Sequence, residues 1–223
     1  MDNIRVDRVV RSRRRTIALV ITPEARLIVR APLRAPAALI DNFIREKQGW
    51  IRKTMARMKE RPQAVDRRYE EGEVFFFLGR EYPLHIVDNA AEPVVRTDRL
   101  CVSRMIEPDI RQGLKRWYVQ EAEKEIRARC MWFSMTTGYT PVSVRISDAK
   151  QRWGSCTATG KLNFSWRLIQ APMPVVDYVI VHELVHLKQH NHSKKFWETV
   201  KEAMPDYEPR RQWLRENERL LRI

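Results

Sequence analysis

The sequence predicts an α+β fold, and three observations point to it. Alternating apolar runs with tight turns fill the N-terminal half, helical periodicity fills the C-terminal half, and the two kinds of pattern do not interleave as in an α/β chain. The expected division is a β-rich, basic region with one helix over residues 1–104, then a helical region with a small sheet over residues 105–223.

Residues 16–31 read as a hairpin. Ile17, Leu19 and Ile21 alternate with Ala18 and Val20, Thr22-Pro23-Glu24-Ala25 turns, and Leu27, Ile28 and Val29 return. Pro36 opens a helix in which Ile40, Phe43, Ile44, Ile51, Met55 and Met58 recur at three- and four-residue intervals, and Pro62 ends it. Next come strands over residues 73–78 and 81–87 around Gly79-Arg80, a two-residue loop with Gly first, as a type II′ turn requires. Residues 94–96 and 99–102 flank Thr97-Asp98 in the same manner. From about Pro108 to Thr137 one helix carries Ile110, Leu114, Trp117, Tyr118, Ala122, Ile126, Cys130 and Phe133 on a single stripe, with Gly138 as its stop. Strands over 142–148 and 161–166 flank an irregular segment, Arg152-Trp153-Gly154-Ser155-Cys156. A helix over 175–190 is apolar on nearly all sides and therefore buried. Ser193 caps another helix, and a last one runs from about Pro209.

Composition narrows the functions. Of 223 residues, 42 are Lys or Arg and 28 Asp or Glu, a net charge of +14, and 31 of the 42 are Arg. The excess is local, since residues 1–68 hold 18 basic and 7 acidic side chains. That N-terminal third either meets an anionic partner, nucleic acid among them, or is a solvated face. No run approaches the roughly 18 uncharged apolar residues of a membrane helix, so no membrane partner is expected. Met1 to Arg15 contain no apolar h-region, and the three cysteines are widely spaced and odd in number. The expected location is therefore a reducing cytoplasm.

One constellation carries chemistry. His182-Glu183-Leu184-Val185-His186 puts two imidazoles on one helix face, about 6 Å apart along the axis, where both can hold one metal ion. Glu183 lies about 100° round the helix, off the coordination but within reach of a water. Metal and carboxylate then divide the work of a hydrolase, the one acidifying water, the other moving its proton. A catalytic zinc needs a third protein ligand. His190, a further rung up, is about 12 Å from the first along the axis and too far. If the helix ends near Gln189–Asn191, His192 can fold back to the metal; Glu202 or Glu208 is the alternative. Ser155-Cys156 could instead supply a cysteine nucleophile, but no separate base with an orienting group is visible. His85 reads as an ordinary hairpin residue.

Arg152-Trp153-Gly154-Ser155-Cys156, Asn163-Phe164-Ser165-Trp166-Arg167-Leu168, Val181-His182-Glu183-Leu184 and Asn191-His192-Ser193-Lys194-Lys195-Phe196-Trp197 together resemble the YgjP-like metal-dependent hydrolases, relatives of the SprT-like zinc metallopeptidases. Met204-Pro205-Asp206-Tyr207, Trp213-Leu214 and Arg13-Arg14-Arg15-Thr16 fit the same pattern. The resemblance implies a zincin-like catalytic domain over 105–223, with Zn2+ or another divalent metal on His182, His186 and His192 and Glu183 as general base. It makes a metallopeptidase the leading function. Arg152, Tyr207 and Arg211 are candidates for substrate contact. Two other functions stay open at this point. The guanidiniums of Arg13, Arg14 and Arg15 could hold a nucleotide, making the chain a metal-dependent nucleoside triphosphate pyrophosphohydrolase. Alternatively the chain is a nucleic-acid-associated binding module whose zinc is structural.

Overall fold

The computed structural model describes residues 4–22, 24–60 and 67–221. Two units, Met1–Pro62 and Gln63–Ile223, each enclose their own apolar cluster. The division between β-rich and helical halves expected at 104/105 thus falls inside the second unit.

In the first unit β1 (Arg8–Ser12), β2 (Ala18–Ile21) and β3 (Leu27–Pro32) form a sheet with β3 in the middle, parallel to β1 and antiparallel to β2. Leu27, Val29 and Ala31 point inward from β3 at alternate positions and are buried with Ile40, Ile44 and Ile51. Those isoleucines belong to α1 (Ala37–Glu46) and α2 (Gln48–Glu60). The single helix expected after Pro36 is thus two, broken at Lys47 (φ −95°, ψ 11°). The apolar periodicity runs through the break, which is why it reads as continuous.

The second unit opens on a sheet of order β4-β5-β7-β6, from β4 (Val74–Phe77), β5 (Arg80–Val87), β6 (Val94–Arg96) and β7 (Leu100–Ser103). Its first turn differs from the expected one. Arg80 already pairs with Phe77, so the turn residues are Leu78 and Gly79, both at positive φ (50° and 78°), the type I′ arrangement rather than II′. The reason is tertiary: the N–H groups of Leu78 and Gly79 donate to Ile169 O and Gln170 O, and a Cβ on Gly79 would stand 2.7 Å from Pro172 Cγ. The second loop holds three residues, 97–99, because Arg96 pairs with Leu100.

α3 (Ile110–Thr137) is capped by the Asp109 side chain, which accepts from Gln112 N, and stops at left-handed Gly138. The stripe read from the sequence is its buried face: Leu114, Tyr118, Ala122, Ile126, Cys130 and Phe133. Against it packs the rest of the unit. β8 (Ser143–Ser147), β9 (Gly154–Cys156) and β10 (Lys161–Ser165) form a sheet of order β8-β10-β9, with β8 parallel and β9 antiparallel to β10. The segment read as irregular therefore supplies an edge strand. A 3-10 turn (Trp166–Gln170) leads to α4 (Met173–Val185), α5 (Lys194–Ala203) and α6 (Tyr207–Asn217). α4 is buried on nearly all sides, and its one aspartate is neutralised: Arg129 of α3 donates Nε and Nη2 to the two oxygens of Asp177 at 2.7 Å each. No helix among the described residues is long and apolar enough to cross a membrane.

Candidate metal centre

α4 ends five residues before the predicted point, at Val185 rather than His190. The chain leaves the axis through Leu187 and Lys188, whose N–H groups donate to Leu184 O and Val185 O. A second helix begins at Ser193, whose hydroxyl accepts from Phe196 N. This break lets His192 return over the end of α4. Its Nε2 lies 3.0 Å from His182 Nε2 and 3.3 Å from His186 Nε2. Two imidazoles bonded to one zinc at about 2.1 Å and a tetrahedral angle place their nitrogens about 3.4 Å apart. The donor set therefore fits a divalent ion.

Protonation supports that fit. His186 Nδ1 sits 2.8 Å from Gln189 O, so the proton resides there and the Nε2 lone pair faces the cluster. Burial, with His186, His192 and Arg211 acting in the same direction, pushes the pKa of His182 down to about 3. Burial also lowers that of His186. Neutral imidazoles with lone pairs so close repel unless a cation lies among them. His182 Nδ1 is buried with no hydrogen-bond partner among the described residues. The rings are fixed by packing, with Phe196 at centroid distances of 4.5–4.9 Å from all three and Trp197 stacked on His192 at 5.7 Å.

Glu183 is buried beside the cluster, and burial pushes its carboxyl up to about 7, with the Arg152 charge opposing. Its position depends on Gly154 of β9. A Cβ there would stand 2.6 Å from both Glu183 Cγ and Oε1, so only glycine leaves room for the carboxylate. In the sequence Gly154 stands only as one member of the Arg152–Cys156 segment, with no role of its own. A glycine inside a segment flanked by strands was the available signal, since such glycines mark close backbone approach. The open cleft, about 460 Å3, has Gly154, Ser155 and Cys156 on one wall and His182, Glu183, His186, His190 and His192 on the other.

The other expected residues fall in several places. Among the described residues, His182, His186 and His192 form the one group of three His, Cys or acidic side chains able to hold a metal; His190, Glu202 and Glu208 stand outside it. Arg152 is exposed and lines a polar recess with Ser155 and Asn163 that adjoins the cleft at Ser155. Tyr207 is buried, stacked on Tyr178 and Trp197, and its hydroxyl donates to Glu208. Arg211 lies over the Trp197 ring at 4.1 Å. Arg13, Arg14 and Arg15 belong to the first unit, between β1 and β2. His85 bonds Glu71 at 2.6 Å in β5, and Cys156 keeps its proton, its thiol pushed up by burial and by Glu183.

Fold and site together define a metal-dependent hydrolase. The chain belongs to the YgjP-like family: the family model for the YgjP-like metallopeptidase domain matches residues 15–217. Two crystal structures are similar in part, both of metallopeptidase zymogens. Abylysin of Pyrococcus abyssi shares 24% identity over 41% of this chain and 97% of its own, with a TM-score of 0.35. Jannalysin of Methanocaldococcus jannaschii shares 21% over 41% of this chain and 92% of its own, with a TM-score of 0.36. No curated protein matches the chain.

Proposed function

We propose that this chain is a zinc-dependent metallopeptidase with Glu183 as general base. The observation that carries it is the convergence of three imidazole nitrogens within 4.8 Å beside the buried carboxyl of Glu183. His182, His186 and His192 would hold the ion, which when bound supplies a Lewis acid at the scissile carbonyl and eases deprotonation of water. Glu183 accepts that proton on a carboxylate oxygen and returns it to the leaving amine nitrogen.

β9 supplies the remaining need, a place for the substrate. As an edge strand it offers the main-chain groups of Gly154–Cys156 to an extended peptide along the cleft wall. Arg152, beyond it, offers positive charge to a substrate side chain in the adjoining recess. Glu183→Gln tests the assignment. The variant should keep one zinc per chain and lose about a hundredfold or more of its turnover of a denatured polypeptide. Nucleoside triphosphates run in parallel should not be hydrolysed by either protein. Wild-type turnover by the Gln variant would sink the general-base role, and turnover of nucleotide alone would overturn the peptidase reading.

A further inference from the structure

β9 presents two different faces to whatever lies along its edge. Thr157 N donates to Lys161 O and Ser165 N to Trp153 O, each at 2.9 Å. Antiparallel bonding alternates, so Ser155, opposite Asn163, also points its main-chain groups at β10. The N–H and C=O of Gly154 and Cys156 are therefore the ones turned to the free edge. Their side-chain positions face the histidine cleft, where Glu183 crowds Gly154 and Cys156 forms part of the wall. The Ser155 side chain alternates to the opposite face. There it meets Asn163 of β10 and the paired serines Ser165 and Ser147, with Ala149 and Arg152 closing a recess of about 290 Å3.

The hydrogen-bonding groups of this recess are unevenly used. Ser147 and Ser165 already donate their hydroxyls, to Phe164 O and Ala149 O. Arg152 is exposed and makes no hydrogen bond or ion pair among the described residues, and the Ser155 hydroxyl and Asn163 amide are likewise without partners there. None of the six lining side chains is acidic. We propose that this recess selects peptides carrying an aspartate or glutamate at the position that pairs with Ser155. Cross-strand neighbours share a face, so an extended peptide added to β9 places that one side chain over the recess and its two neighbours over the cleft. Guanidinium donors, an amide NH2 and a hydroxyl suit a group that only accepts, and a carboxylate is the side chain that does so. Lysine or arginine would meet Arg152 as a like charge, and an aliphatic side chain would find only Ala149 as an apolar neighbour in the lining. Because Glu183 packs against Gly154, next to Ser155, the selected residue lies within about two positions of the bond cut. The proposal rests on the metallopeptidase reading and deepens it.

Digestion of a denatured polypeptide by the zinc-loaded full chain, with the cut sites read by mass spectrometry, tests it. Aspartate and glutamate should be enriched at one position within about two residues of the cut. Paired synthetic peptides with glutamate or glutamine at that position then give the preference as a ratio of kcat/KM, expected at about tenfold or more for one charged contact. Arg152→Gln should bring the ratio close to one, and Arg152→Lys should keep part of it. The charge of Arg152 also reaches Glu183, but a change passed on that way alters both peptides alike and leaves their ratio intact. An unchanged ratio in Arg152→Gln, or cut sites without an acidic preference, overturns the proposal and leaves the metallopeptidase reading standing. If the wild type cuts no polypeptide, that reading fails and the proposal falls with it.

Discussion

Only a glycine fits at position 154, because the Glu183 side chain fills the space beside its backbone. A single methyl group there would occupy the space of Glu183 Oε1 and Cγ at 2.6 Å. β9 is held by its register on β10, Gly154 opposite Phe164, so the side chain must move rather than the strand. Gly154→Ala should therefore cost about a hundredfold in turnover, as loss of an aligned general base does, while zinc stays stoichiometric. Full activity in that variant would show that Glu183 has room the structure does not give it. The histidines make a paired expectation. His192→Ala should lose zinc affinity and turnover together, because two imidazoles leave the ion short of a ligand. His190→Ala should keep both, since His190 lines the cleft outside the convergent group. Elemental analysis of the two purified variants separates these outcomes.

Elements with a strong period were legible. α3 was, to within two residues at its start, because Leu114, Tyr118, Ala122, Ile126 and Cys130 fall four apart and Gly138 ends them. The metal helix was legible in type and face but not in length. Nothing in Leu187, Lys188 and Gln189 stops a helix by propensity; at the stop the Gln189 carbonyl turns to the His186 side chain at Nδ1, a contact invisible in the sequence. The Leu78–Gly79 turn failed similarly, its type set by Ile169 and Gln170 far along the chain. β1 escaped because Arg8-Val9-Val10-Arg11-Ser12 has no apolar alternation and relies on β3 for pairing.

Burial raises the Asp148 carboxyl, but hydrogen bonds from Lys115, Arg167 and Trp166 outweigh it and hold the group well below its ordinary 3.8. Its folded value lies below its unfolded one, so its stabilisation is complete above 3.8 and fades as pH falls through the folded value. Asp148→Asn should accordingly melt below the wild type, with a gap in Tm that is constant from about pH 6 down to about pH 4 and narrows only as the pH falls further. A gap independent of pH would mean that packing, not charge, sets the role of Asp148.

The whole molecule is two cores of unequal strength. Leu27, Val29, Ala31, Ile40, Ile44 and Ile51 enclose a small core in a 62-residue unit, a size at which burial barely offsets chain entropy. That unit carries 16 basic and 6 acidic side chains, so self-repulsion weakens it further. The second unit spans 161 residues, is nearly balanced in charge, and contains the three histidines of the candidate metal centre. Calorimetry of the full chain should therefore resolve two transitions, the lower belonging to the first unit. Added salt screens repulsion over about 10 Å at 0.1 M, so the lower transition should rise with salt by several degrees while the upper one moves little. Zinc should do the reverse, raising only the upper transition, because a ligand stabilises the unit that binds it. A fragment of residues 63–223 should melt at the upper temperature and keep its zinc; one cooperative transition, equally sensitive to salt and zinc, would show instead that the two units stand or fall together.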